Sequence, residues 1–378
     1  MRIIHFGKYY LPETGGIESV TASLARGASD AGHHVGVICF RKMPASDDEV
    51  IDGVNVFRAP IAGLIASQPL GAKYVWLCLK EAQTADLIHL HVPNMLGALC
   101  CLMAGKRPRV LVHWHSDVVG KGWLGKAFKP LETALLKRAD AIVATSNVYA
   151  KASKPLKPFQ HKVTIVPPGV RDAPTTGSAD VESAELPSEL QPWLRGRKLV
   201  LAVGRLVAYK GFDTLIHAAT HLREDAVVVI VGDGPLRKSL QADIDRAGLT
   251  QRVRLAGRLS DGALHALFTQ ASLYCLPSLH RAEAFGVVLL EAMSYGIPVV
   301  ASEIPGSGVP WVNQNGVTGF NVPVGDAAAL AEACNRILES APELARLSAG
   351  ARRRFLAEFT EDQSVRHMLA AYQRLISA

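Results

Sequence analysis

Lys198-Leu199-Val200-Leu201-Ala202-Val203-Gly204-Arg205-Leu206-Val207-Ala208-Tyr209-Lys210-Gly211 is the stretch on which the fold turns. Lys198–Val203 is almost unbroken apolar sequence, the pattern of a strand buried on both faces of a parallel sheet. Glycines and bases then make a turn, and Phe212–Leu222 carries a helical pattern. The same unit repeats downstream. Ala226–Val231 reads as a strand ending in Gly232-Asp233-Gly234-Pro235, and Leu236–Ala247 as a helix. Val253–Leu255, Leu273–Leu276 and Pro298–Ala301 read as further strands, with helices over Gly262–Ala271 and Gly286–Ser294. Strands alternating with helices predict a doubly wound parallel sheet.

Reading outward from that stretch, the first half shows the same alternation. Strands are predicted over Arg2–Phe6, His34–Phe40, Leu87–His91, Val110–His115 and Ala141–Thr145, and helices over Ile17–Ala31, Met95–Ala104 and Leu131–Arg138. Val166-Pro167-Pro168-Gly169 ends a strand, and the Ala-, Pro-, Ser- and acid-rich segment after it reads as linker. The expectation is α/β, with two Rossmann-like doubly wound domains facing across a cleft. Residues 1–168 form the acceptor-side domain, 169–197 the linker and 198–357 the nucleotide-sugar-binding domain. A final helix, 358–378, returns to the first domain.

Bulk properties narrow the classes. The chain has 378 residues, 49% hydrophobic and 20% charged, which suits two globular domains and excludes disorder. No apolar run reaches the ~18 residues of a membrane span. Met1-Arg2 leads directly into a strand, so no signal peptide is read. The six cysteines form no CxxC pair and mostly lie in apolar stretches, which predicts reduced thiols and a cytoplasmic location. A net charge of +7 suits an anionic partner. Zinc-finger and RNA-binding signatures are lacking, which places nucleic acid last.

Pro277 to Met293 carries the most chemistry. Glu283 and Glu291 bracket an apolar run that begins Phe285-Gly286-Val287. With Glu283 in a loop and Glu291 in a helix, eight residues at 1.5 Å rise put them ~12 Å apart and off a shared face. That disfavours a paired-carboxylate acid/base site and suits two ends of one long ligand. Free N–H groups around Phe285, Gly286 and Val287 would face sugar hydroxyls or phosphate. Arg205 and Lys210 supply cations for a diphosphate beside the glycines of their loop. Each motif alone also fits a solvated surface. Asp243-Ile244-Asp245 resembles a metal-binding Asp-x-Asp, but its helical setting reads as solvated surface. His89, His91, His113 and His115 alternate at strand ends and raise a metal hypothesis; no carboxylate or cysteine at ligand spacing supports it, and no metal is expected.

Taken together, the strand with Gly204-Arg205-Leu206, Lys210-Gly211, Gly232-Asp233-Gly234-Pro235 and the Glu283/Glu291 segment resemble the family-4 retaining glycosyltransferases of the GT-B fold. The opening His5 to Glu18, with Pro12-Glu13-Thr14-Gly15-Gly16-Ile17-Glu18, is similar to bacterial O-antigen and exopolysaccharide mannosyl- or rhamnosyltransferases. The resemblance spans essentially the whole chain and is weakest over Ile61–Thr84 and the linker. It implies retaining, metal-independent transfer of a hexose from a nucleotide diphosphate sugar, with GDP-sugars favoured over UDP-sugars and no further cofactor. Arg205 and Lys210 would bind the diphosphate, Glu291 the ribose, and Glu283 the transferred sugar. Gly15 and Gly16 would admit the phosphates, and Arg258 would lie near the base. His115 would lie near the sugar and acceptor, with Asp117 orienting the acceptor. The sequence shows no nucleophile for the sugar, so front-face attack is expected.

Lys121-Gly122-Trp123-Leu124-Gly125-Lys126-Ala127-Phe128-Lys129 interleaves bases with aromatic and apolar residues. It fits either a solvated helix or contact with an anionic membrane, which would make the protein peripheral on the inner face and its acceptor lipid-linked. Competing readings are a sugar-nucleotide epimerase of the same fold and a non-catalytic nucleotide-sugar-binding module. A dinucleotide oxidoreductase is weaker, because no GxGxxG turn closes the first strand.

Overall fold

The computed structural model describes residues 1–13, 15–42, 48–65, 68–118, 122–174 and 186–377. The chain divides into two compact units. Met1–Val170 with Glu361–Ala378 forms the first, and Arg171–Thr360 the second.

The first unit contains β1 (Arg2–Phe6), β2 (His34–Arg41), β3 (Asp48–Ile51), β4 (Val54–Pro60), the small hairpin β5 (Gly63–Ile65) and β6 (Gln68–Leu70), β7 (Leu87–Val92), β8 (Arg109–Trp114), β9 (Ala141–Ala144) and β10 (Val163–Ile165). Its main sheet runs β10-β9-β8-β7-β1-β2-β4-β3. All neighbours are parallel except the edge pair β3–β4. Helices Gly16–Asp30, Ala72–Ala82, Met95–Met103 and Gly122–Arg138 connect the strands. The sequence reading did not assign β3 to β6 or the Ala72–Ala82 helix. These lie in or beside the stretch where the resemblance is weakest.

The last helix, Glu361–Ser377, packs on Gly16–Asp30. Gly27 sits at the crossing, where a Cβ would stand 2.5 Å from the Val365 methyls. Arg26 is ion-paired with Glu361, and Ser364 Oγ donates to the Pro167 carbonyl at 2.8 Å. Met368, Tyr372 and Leu375 enter the same core as Val20, Leu24, Val35 and Leu87.

The second unit holds β11 (Lys198–Val203), β12 (Ala226–Val231), β13 (Val253–Gly257), β14 (Ala271–Leu276), β15 (Val299–Ser302) and β16 (Gly319–Val322). They form a wholly parallel sheet in the order β13-β12-β11-β14-β15-β16. In sequence order this is 3-2-1-4-5-6, the dinucleotide-fold arrangement. Every residue of β12 is buried, as a central strand covered on both faces requires. Ser260, Asp326 and Ser340 cap helices Asp261–Gln270, Ala327–Glu339 and Ala341–Glu358 by accepting from backbone N–H groups.

The expected linker 169–197 is no simple tether at its ends. Asp172 is held by two bonds from Arg352, and Gln191–Leu194 is a short helix with Leu190, Trp193 and Leu194 buried. Its apolar side chains, sparse but real, commit it to the second unit. Residues 175–185 lie outside the described residues. The expected helix Phe212–Leu222 ends at Ala218.

Candidate functional site

In a doubly wound sheet, ligands sit at the carboxyl ends of the strands, where the strand order reverses. In the second unit that point lies between β11 and β14. The loops leaving these two strands carry Arg205 and Lys210 on one side and Glu283 on the other.

Both loops are built around close backbone contacts. Gly204 N–H donates to Val231 C=O at 2.9 Å and Leu206 N–H to Asp233 C=O at 3.0 Å, which lays the Gly-Arg-Leu turn along the Gly-Asp-Gly-Pro turn. A Cβ on Gly232 would lie 2.0 Å from the Gly204 carbonyl oxygen, so only glycine fits there. Gly211 has φ +65°, and its Cβ would fall 2.1 Å from the Pro277 carbonyl oxygen. Leu279 N–H donates to Tyr209 C=O at 2.8 Å, tying the Lys210 turn to the end of β14.

The result is a buried ion pair. Lys210 Nζ lies 2.6 Å from Glu283 Oε2, and both side chains are buried. Ser278 Oγ, fully buried, donates to the same carboxylate oxygen at 3.1 Å. Ser307 Oγ donates to the Glu283 carbonyl at 2.5 Å, fixing the loop from the far side. Burial works against the Lys210 charge, but Glu283, Tyr209 and Glu291 outweigh it and hold the ammonium pKa above its usual value. Neither serine was singled out from the sequence. Ser278, directly after the strand and five residues before Glu283, was the available signal.

Gly286 (φ +79°) begins helix Val287–Ser294, so the N–H groups that open this helix lie three residues beyond Glu283. Phe285 is buried against Trp311 and Phe359 and acts as an anchor for the turn. Glu291 lies within the helix. Burial pushes its carboxyl up to about 7, with Asp261 adding to the rise and Lys210 opposing it. Arg205 and Arg258 are exposed. Asp243 and Asp245 lie on helix Arg237–Arg246, where Arg246 bonds to Asp243 and Gln241 to Asp245, as a solvated face would.

The first unit gathers a different set. His5 of β1, His89 and His91 of β7, His113 of β8 and His115 just beyond it are all buried. Register places His5 beside His89 and His91 beside His113. Their rings stack and hydrogen-bond in two runs. Tyr372 Oη meets His89 Nδ1 at 2.6 Å, and His89 Nε2 meets His113 Nδ1 at 3.2 Å. His5 Nδ1 meets His91 Nε2 at 3.0 Å, and His91 Nδ1 meets His115 Nε2 at 2.9 Å. Burial holds all five imidazoles far below their usual pKa, to about 3 for His5 and His115, so the rings are neutral at physiological pH. The sequence reading paired four of them and missed His5, whose place depends on the β1–β7 pairing.

Asp117 accepts from Trp114 Nε1 at 2.9 Å and from Ser153 Oγ at 2.6 Å, so its carboxylate braces the loop after β8. Gly15 and Gly16 are exposed at the start of helix Gly16–Asp30, and a Cβ on Gly15 would meet Glu18 Oε2 at 2.4 Å. Thr14 lies outside the described residues. So do Lys121 and the side chains of residues 122–126, which make up most of the basic stretch expected at a membrane. Beyond them, Phe128 is half-buried and Lys129 exposed. No described helix is long and apolar enough to cross a membrane.

Comparison with known proteins agrees with this architecture. Residues 15–169 match the family described as "Glycosyl transferase 4-like domain", and residues 190–354 match "Glycosyl transferases group 1". The chain is 33% identical to the O-antigen chain mannosyltransferase C of Escherichia coli, over 99% of this chain and 98% of that protein. It is 31% identical to the D-rhamnosyltransferase WbpZ of Pseudomonas aeruginosa, over 95% and 92% respectively. Among solved structures, HepE of Anabaena in complex with UDP and glucose superposes with a TM-score of 0.80 at 20% identity, covering 99% of this chain and all of that one. With both halves matched and near-full-length relatives above 30% identity, the chain is a glycosyltransferase and belongs to the family-4 enzymes of the GT-B fold.

Proposed function

We propose that the protein is a retaining hexosyltransferase that moves mannose or a deoxyhexose from a GDP-sugar to a saccharide acceptor in surface polysaccharide synthesis. The Lys210–Glu283 pair at the strand-order reversal of the second unit carries this reading. A cation and a carboxylate sit there on rigid turns, beside a helix N-terminus, with Glu291 further along that helix. Lys210, with Arg205, binds the diphosphate and stabilises the charge that develops on it. Glu283 and the N–H groups of Phe285, Gly286 and Val287 hold the transferred sugar. Glu291 takes the ribose hydroxyls, and Arg258 lies toward the base. Gly15 and Gly16 serve the phosphates, and His115 the sugar and acceptor. Asp117 acts on the acceptor through the loop it braces.

The reaction breaks the anomeric carbon–phosphate oxygen bond. The acceptor hydroxyl attacks the same face, and its proton passes to the leaving phosphate, so no protein nucleophile and no catalytic metal take part. Positioning and cationic stabilisation supply the rate. The choice of mannose or a deoxyhexose rests on what the two bacterial relatives are called and the O-antigen setting on the name of the first, while the GDP carrier rests on the sequence resemblance alone. Both relatives are transferases by name, which favours transfer over epimerisation or mere binding. A lipid-linked acceptor, with the protein peripheral on the inner membrane face, follows from the same setting.

The test is a thermal-shift and transfer screen with GDP-mannose, GDP-deoxyhexoses, UDP-glucose and UDP-N-acetylglucosamine, with and without chelator. A selective shift with one guanosine donor, lost in Arg205→Ala, and anomeric configuration retained in the product are expected. Inversion of configuration, or turnover that stops when added divalent ions are withheld, would overturn the mechanism.

A further inference from the structure

The histidines of the first unit do more than fill a sheet face. Strand alternation puts His89 and His91 on one face of β7, and parallel pairing brings His5 of β1 beside them. One nitrogen from each of the three lies within 4.8 Å of the other two. The two nitrogens that face each other directly, His5 Nδ1 and His91 Nε2, are 3.0 Å apart. Nitrogens 2.0–2.1 Å from a tetrahedral ion stand about 3.3 Å from one another, so this spacing is already close to that of two ligands.

The outer nitrogens are also arranged as ligation requires. A metal-bound imidazole engages its second ring nitrogen with a neighbouring oxygen or nitrogen, which fixes the tautomer. His89 Nδ1 is engaged by Tyr372 Oη at 2.6 Å and His91 Nδ1 by His115 Nε2 at 2.9 Å, while the Nε2 atoms of the two rings face His113 Nδ1 at 3.2 Å and His5 Nδ1 at 3.0 Å, contacts that a bound ion would replace. His5 Nε2, the outer nitrogen of the third ring, is a buried polar atom with no hydrogen-bond partner among the described residues, a group that calls for an explanation such as an ion nearby.

We propose that His5, His89 and His91 form a three-imidazole site for a divalent transition ion of the zinc, cobalt or nickel class, with Tyr372 and His115 as the groups that orient the ligands. Nitrogen donors without carboxylate exclude magnesium and calcium. Water or hydroxide completes the coordination. The ion ties β1 to β7 and, through Tyr372, to the last helix. It is no reactant in sugar transfer and adjoins the proposed machinery only through His115, so the inference does not rest on the donor assignment in the second unit.

The experiment uses the full chain, produced with a tag free of histidine in zinc- or cobalt-supplemented medium and dialysed. Metal content by mass spectrometry should approach one ion per chain. X-ray absorption should count three imidazoles, and the loaded protein should melt several degrees above the chelated one. His89→Ala and His91→Ala should lose the ion, while His161→Ala, at an exposed position, should keep it. Less than about a tenth of an equivalent in the wild type, or equal content in His89→Ala and His91→Ala, overturns the proposal. Should those variants fail to fold, the wild-type absorption spectrum decides, and fewer than three imidazoles overturns it.

Discussion

Six strands of the first sheet, β4-β2-β1-β7-β8-β9, repeat the order of the second, yet the two sheets bury polar groups at the point of reversal in opposite ways. In the second unit a lysine and a glutamate are buried together, and the carboxylate holds the lysine charged. In the first unit five like groups are buried together, and all give up their charge. One scaffold thus supports a charged centre, suited to a diphosphate, and a neutral one, suited to nitrogen coordination. What separates them is the composition of two or three side chains at strand ends, not the topology.

The largest expected effect comes from unbalancing the charged centre. Lys210→Ala leaves Glu283 buried without its cation. Turnover should fall a hundred- to thousandfold, about 3–4 kcal/mol of transition-state stabilisation. Stability should drop by about 3–5 kcal/mol. The double variant Lys210→Ala/Glu283→Ala should regain much of the stability and none of the rate; urea unfolding beside steady-state kinetics separates the two. Turnover within tenfold of wild type in the single variant would remove the second unit's side of the comparison.

Gly211→Ala tests the turn that delivers the lysine. The left-handed backbone and the clash with the Pro277 carbonyl should destabilise the protein by about 2 kcal/mol or more, read as a lower urea midpoint. An unchanged midpoint would mean the turn relaxes and does not set the Lys210 position.

On the neutral side, Tyr372→Phe removes the partner of His89 Nδ1 and should cost about 1–2 kcal/mol. It sharpens the comparison because donor affinity should stay at wild-type strength while the melting temperature falls.

The smallest effect is one of pH. The Glu291 carboxyl is raised to about 7 by burial, with Asp261 adding and Lys210 opposing. If only the carboxylate binds ribose, donor affinity should weaken up to about tenfold from pH 8 to pH 6, and Glu291→Gln should flatten that profile. The linkage to stability has the opposite sense. A folded pKa above the unfolded one means that the folded state holds the extra proton. That stabilisation is complete below about 4.5 and is lost as pH rises through about 7. Calorimetry of wild type against Glu291→Gln, from pH 4 to 8, reads it.

Much of the second unit was legible because its motifs are local. Gly204 to Gly211 and Pro277 to Met293 each sit in one loop-to-helix segment, and their strands are apolar runs with clear ends. That Glu283 meets Lys210 was not legible, since contact across 73 residues depends on β11 pairing with β14. The histidine set was half legible for the same reason. Alternation showed the pairs on β7 and β8, but only inter-strand register adds His5. The edge strand β3 and its neighbour β4 escaped notice because Asp48–Ile51 is short and half-exposed, and Val54–Pro60 mixes apolar with polar residues. Asp117, expected to orient the acceptor, also braces Trp114 and Ser153, contacts that spacing alone does not encode.

The helix Glu361–Ser377 belongs to the unit with which the chain begins. During synthesis the sheet of the first unit can assemble early, but the face of Gly16–Asp30 that Val365, Met368 and Tyr372 cover stays open until Glu361–Ser377 has been made, after the whole second unit. A stop just before Glu361 would spare the unit just translated and strike the one made first, and neither part of the gene cut at residue 170 carries all the elements of the first unit.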